Sequence, residues 1–161
     1  MARTDSQRAL PVALFLAALV LVIVRIALTL AGGPEEPEAK SGDLVQWVPL
    51  AAASGSAKPV LYDFTAAWCG PCRQLEADVF SDPELAAQIN ARFTPVKVVD
   101  RQREDGANPP AVAALQQRFD VRAFPTVVIV DVRGDASGAA AAKMEGSRGP
   151  IAFAQMLDSV R

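Results

Sequence analysis

Val60-Leu61-Tyr62-Asp63-Phe64-Thr65-Ala66-Ala67-Trp68-Cys69-Gly70-Pro71-Cys72 is the stretch that decides the fold. Its first six residues form a short, continuous run rich in β-formers, which suits a strand buried in the middle of a sheet. From Cys72 to Phe80 the apolar residues Leu75, Val79 and Phe80 recur at helical spacing. A strand therefore feeds a helix, with Cys69 at the start of that helix and Cys72 one turn further in. Pro71 suits the first turn, because the N–H it lacks would be unpaired there anyway. Unpaired backbone N–H groups and the positive end of the helix dipole face the Cys69 sulfur. Such an environment lowers a cysteine pKa to roughly 3.5–7.5 and yields the thiolate that attacks disulfides. Cys72 is expected to be the less exposed of the two, within reach of Cys69 to resolve a mixed disulfide.

Outward from this stretch, helices and strands alternate. Ser81-Asp82-Pro83-Glu84 reads as a capping box with Ser81 at the N-cap, opening a helix that runs to about Ala91. Thr94 to Asp100 reads as a second strand and Arg101 to Asn108 as polar and irregular. Pro110 to Phe119 is a helix with Val112, Leu115 and Phe119 on one face. Thr126 to Val132 is a third strand, Gly134 marks a turn, and a weak strand follows at Ala141 to Glu145. Gly149-Pro150 opens a last helix with apolar positions at Ile151, Phe153, Met156, Leu157 and Val160. Upstream, Trp47 to Ala57 is weakly helical. The order β-α-α-β-α-β-β-α predicts an α/β layered fold, a mixed central sheet flanked by helices.

Ala9 to Ala31 is almost entirely apolar, interrupted by Arg25. As a helix it spans roughly 34 Å at about 1.5 Å per residue, enough for a bilayer core of about 30 Å. The expected organisation is an N-terminal tail at 1–8, a transmembrane helix at 9–31, a Gly/Pro/Glu-rich linker at 32–43 and a folded domain at 44–161. Arg3 and Arg8 precede the apolar run, whereas Glu35, Glu36 and Glu38 follow it. The positive-inside rule then leaves the N-terminus in the cytoplasm and the domain outside, in the periplasm or its equivalent. A cleaved signal peptide ending near Thr29-Leu30-Ala31 is the competing reading, and it exports the domain equally.

Composition removes several function classes. The chain has no histidine, so Ser-His and Cys-His catalysis are excluded. Its two cysteines cannot by themselves close a zinc site, which wants four ligands. No metal and no other cofactor is expected. The net charge of -2 gives no electrostatic reason to expect a nucleic-acid partner.

Trp68-Cys69-Gly70-Pro71-Cys72 matches the thioredoxin active-site motif, and Phe124-Pro125-Thr126 resembles the segment whose proline is cis in that family. Gly146 resembles the glycine after the family's last strand. Lys58-Pro59-Val60 and Phe80-Ser81-Asp82-Pro83 are similar to the exported C-terminal domain of the disulfide-bond-formation protein D family. Over about Trp47 to Arg161 the chain is identified as a member of the thioredoxin-like family. The resemblance implies a thioredoxin fold and a thiol:disulfide oxidoreductase, a reductase passing electrons from a membrane donor to protein disulfides. It implies that Cys69 is the nucleophile, Cys72 the resolving cysteine and Asp63 a buried proton shuttle for Cys72. It implies support from Trp68, which shields the pair, from Gly70 and Pro71 between the cysteines, and from Phe124, Pro125 and Thr126 beside them. Many thioredoxins carry a lysine near the buried acid on the adjacent strand. The matching position here is Val96, with Lys97 expected to face elsewhere. Arg101 to Asn108 is longer than the equivalent loop in plain thioredoxin and reads as solvated. A dithiol oxidase, a cytochrome c maturation thioredoxin and an adaptor with a merely structural cysteine pair are the alternatives.

Overall fold

The structure, a computed structural model, describes residues 18–22, 43–131 and 138–160. Four strands, β1 (Val60–Ala66), β2 (Thr94–Asp100), β3 (Thr126–Val130) and β4 (Ala140–Glu145), form one sheet in the order β2-β1-β3-β4. β1 runs parallel to β2 and antiparallel to β3, which is antiparallel to β4. The sheet is therefore mixed, as the element order predicts.

Five α-helices flank it: α1 (Gly70–Leu75), α2 (Pro83–Arg92), the short α3 (Gln102–Asp105), α4 (Pro110–Arg118) and α5 (Gly149–Ser159). A π-helical turn, Glu76–Phe80, continues α1. The two faces of the sheet carry separate cores. Leu61, Val127 and Ile129 pack with Leu75, Phe80, Ile89, Phe153 and Leu157 on one face. Phe64, Val96, Val98 and Val128 pack with Phe119 on the other, where Val112 and Leu115 of α4 are half-buried. Because both faces are covered, the central strands β1 and β3 need no polar alternation, and β3 is buried throughout.

The boundaries differ from the sequence expectations in four places. The N-cap of α2 is Asp82 rather than Ser81: Asp82 Oδ1 accepts from the Glu84 and Leu85 amides at 3.0 and 2.9 Å. With Pro83 as the first helical residue, the side chain directly before it is the one placed to meet those amides. Arg101 to Asn108 is not irregular but contains α3, closed by Gly106 at a positive φ of 79°. The weakly helical Trp47 to Ala57 contracts to one 3-10 turn, Leu50–Ala53. β3 ends at Val130, before Asp131, whereas Val132 and the turn expected at Gly134 lie outside the described residues. So does most of the apolar run at 9–31, of which 18–22 is helical. Among the described residues no helix is long and apolar enough to cross a membrane.

The cap assignment is testable by urea unfolding. Asp82→Ala should destabilise the domain by about 1 kcal/mol, whereas Ser81→Ala should cost less than about 0.5 kcal/mol.

Candidate active site

Strand β1 ends at Ala66, and the Cys69 amide donates back to the Ala66 carbonyl at 3.0 Å. This tight return sets Cys69 as the N-cap of α1, with extended backbone (φ -80°, ψ 106°). Its Sγ accepts a hydrogen bond from the Cys72 amide at 3.1 Å. The sulfur thus occupies the position where a helix start concentrates free donors and positive potential. Pro71 stands in the first turn, and Cys69 and Cys72 are joined as a disulfide. A Cβ at Gly70 would meet nothing nearer than Arg73 Nη2 at 3.9 Å, so the glycine leaves the surface beside the pair low. The expected exposure order is reversed: Cys69 is 2% exposed and Cys72 7%. The disulfide draws both sulfurs together, and Ala66 and the half-buried Phe124 pack against them.

Phe124-Pro125 is a cis peptide. The Gly146 amide holds the Pro125 carbonyl at 2.8 Å, and the buried Thr126 Oγ1 donates to the Ala123 carbonyl at 2.7 Å. Thr126 and Gly146 therefore brace the loop that carries Phe124. Trp68 is 42% exposed and meets Phe124 edge-on at 5.9 Å. The Arg103 guanidinium lies 3.7 Å above the Trp68 ring, a cation–π contact. Trp68, Phe124, Arg103 and Arg122 line a groove of about 430 Å³ that also reaches Asp100 and Gln116. The Asp100 carboxylate is occupied by Asn108 Nδ2 at 2.5 Å, Gln116 Nε2 at 2.8 Å and the Gln102 amide at 3.2 Å. These bonds fix the start of α3 and so place Arg103. The loop expected to be merely solvated thus supplies one wall of the groove.

Asp63 lies on the sheet face that carries Leu61, beneath the helical layer of α1 and its π turn. It is 3% exposed, and its Oδ1 has no hydrogen-bond partner. Burial pushes its carboxyl up to about 7; Lys97 opposes this, while Asp43 and Glu76 reinforce it. Glu76 follows Cys72 by four residues, one helical turn, and its charge acts on Asp63. Lys97 does not face elsewhere, as the sequence reading expects. It is the register partner of Asp63 across the parallel β1–β2 pair, so the two side chains share a face. Val96 is instead buried in the opposite core. The Lys97 ammonium is bound to Asp43 Oδ2 at 2.9 Å, lies 3.8 Å from Glu76 Oε1 and sits 4.7 Å from the Trp47 ring centroid. Of this set the sequence reading found Asp63 alone. The alternation Val96-Lys97-Val98 carried the signal for Lys97; nothing in the charged linker singled out Asp43.

Among the described residues no cluster of acidic and cysteine side chains could hold a metal ion.

Comparison with known proteins agrees with this geometry. The family model for the thioredoxin-like domain matches residues 49–161. The thiol:disulfide interchange protein DsbD of Cronobacter sakazakii is 33% identical over 85 residues, covering 53% of this chain but 14% of that protein. A thioredoxin of Mycolicibacterium smegmatis is 34% identical over 103 residues, covering 64% of this chain and 79% of that protein. Among solved structures, the oxidised C-terminal domain of Neisseria meningitidis DsbD aligns with a TM-score of 0.50 at 25% identity, over 69% of this chain and 87% of that one. Its matched sequence and its paired cysteines at a helix start place this chain in the thioredoxin-like domain family, among the thiol–disulfide oxidoreductases.

Proposed function

We propose that the protein is a membrane-anchored, extracytoplasmic thiol:disulfide oxidoreductase that reduces protein disulfides through Cys69 and Cys72. The observation that carries this reading is the Cys69 sulfur at the N-cap of α1, bonded to Cys72 and accepting its amide. In the reduced protein that position favours the Cys69 thiolate. The thiolate attacks one sulfur of a substrate disulfide, and the other leaves as a thiolate that takes up a proton. Cys72 then loses its proton to Asp63 and attacks Cys69 Sγ, releasing the second substrate sulfur as a thiolate that takes up a proton in turn while Asp63 gives its own back to water. The substrate gains two electrons and two protons, and the Cys69–Cys72 disulfide forms. A donor in the membrane restores the dithiol. Trp68, Phe124 and the Pro125 loop form the surface on which the substrate strand rests, with Gly70 and Pro71 clearing its approach. The apolar run at 9–31, with arginines before it and glutamates after it, supports the anchor and the outward orientation of the domain. The likeness to DsbD supports a role in electron relay.

Direction is set by reduction potential. Equilibration with glutathione or dithiothreitol should give a value near or below about −230 mV; a value near about −120 mV would make the protein an oxidant of its partners instead. Cys69→Ser should abolish insulin-disulfide reduction. Cys72→Ser should still attack substrate but accumulate the mixed disulfide, visible on a non-reducing gel.

Asp63 adds a pH signature. Its carboxyl stays protonated up to about 7 in the folded protein, whereas in an unfolded chain it ionises near about 3.9. Between these values the folded state binds the extra proton, so stability falls as pH rises through the window. Asp63→Asn should remove this slope, leaving the variant more stable than the parent by on the order of 4 kcal/mol at pH 8. That advantage should vanish near pH 4. Urea unfolding of the oxidised protein across this range measures it.

A further inference from the structure

Asp43 stands where the charged linker meets the folded chain. Its carboxylate is 6% exposed. It accepts from the Val45 amide at 3.1 Å, from Trp47 Nε1 at 2.5 Å and from Lys97 Nζ at 2.9 Å. Lys97 is thus held by a side chain 54 residues away in sequence, although its register neighbour is Asp63. Asp63 Oδ1, buried on the same face, is left without a partner. Three carboxylates therefore surround one ammonium: Asp63 from β1, Glu76 from the π turn and Asp43 from the segment before the 3-10 turn. The short, charge-assisted bond goes to Asp43. Lys97, Asp43 and Glu76 are the charged groups that act on Asp63 from the elements packed around it.

We propose that Asp43 is a positioning residue for proton transfer at the redox pair: by holding Lys97 it keeps that cation from neutralising Asp63, and so decides when Asp63 carries its proton. The inference rests on the reading of Asp63 as the acceptor of the Cys72 proton. In that step the Cys72 thiol gives its proton to the Asp63 carboxylate. The resulting thiolate attacks Cys69 Sγ, and the substrate sulfur leaves with the electron pair of the mixed disulfide. Asp63 must be ionised beforehand, so the step quickens as pH rises through its titration. Removing the Asp43 charge acts twice in one direction. It deletes a nearby negative charge, and it frees the ammonium to turn toward Asp63. Both favour the ionised carboxylate and move the titration to lower pH.

The test uses the oxidised full chain in mild detergent with aspartate labelled by carbon-13 at the carboxyl. The Asp63 resonance is identified by its loss in Asp63→Asn. In Asp43→Asn its midpoint should fall by about one pH unit, and in Lys97→Gln it should rise by about as much. An unchanged or raised midpoint in Asp43→Asn overturns the proposal. Should Asp43→Asn lack native near-ultraviolet circular dichroism, Lys97→Gln decides, and an unmoved midpoint there overturns it equally. A purely structural Asp43 would lower the melting temperature while leaving the midpoint in place. The pH profile for resolution of a mixed disulfide on Cys69, recorded in parallel, separates the two readings. If the titration moves and that profile does not, Asp43 positions Lys97 but Asp63 is not the acceptor. If neither moves, the inference falls while disulfide exchange by Cys69 and Cys72 stands.

Discussion

The hydrogen bond from the Cys72 amide to Cys69 Sγ is the contact on which the site depends. A helix start must find acceptors for its first amides, and most helices use an oxygen from Ser, Thr, Asp or Asn. Here a sulfur takes that place. Capping the helix and presenting the reactive atom are then one task, and the two cannot drift apart. The contact requires the chain to leave β1 and turn within three residues, which the Cys69 amide secures by bonding to the Ala66 carbonyl. It also requires β1 to be rigid, and the two cores clamp that strand from both faces.

Rigidity of this kind has a cost, and Asp63 carries it. A carboxylate with an unbonded oxygen inside a core opposes folding whenever it is charged. A neutral residue there would fold as well or better, so the acid is better explained by chemistry than by stability. Its surroundings agree: the one cation in register with it is engaged elsewhere. The compensating charge stands in register with Asp63 but is bonded to Asp43.

The fold was legible because its signals are local. β1 and β3 are short runs rich in β-formers, α1 and α5 have helical periodicity, and the cysteine pair sits at the seam between a strand and a helix. The errors arose where geometry depends on partners distant in sequence. The alternation Val96-Lys97-Val98 sets the face of Lys97, but which residue it meets there depends on the parallel register of β2 against β1, which one strand does not fix. Asp43 reads as linker in the sequence because charge and proline nearby mask a side chain whose partner is 54 residues away. The cap was put one residue early because Ser81 and Asp82 are both good caps, and only the turn into Pro83 separates them. The cover over the cysteine pair comes in part from Phe124, in a loop 55 residues beyond Cys69.

The segment that follows the linker is sewn to the domain edge by bonds on several sides. The Leu44 amide holds the Phe80 carbonyl, Asn90 clasps Leu44 and Gln46, and Val48 bridges to Val96. Any force arriving along the chain from its N-terminal side therefore enters the fold here, and Asp43 is the first of these residues to bear it. Asp43 thus belongs both to this entry point and to the charge cluster around Lys97.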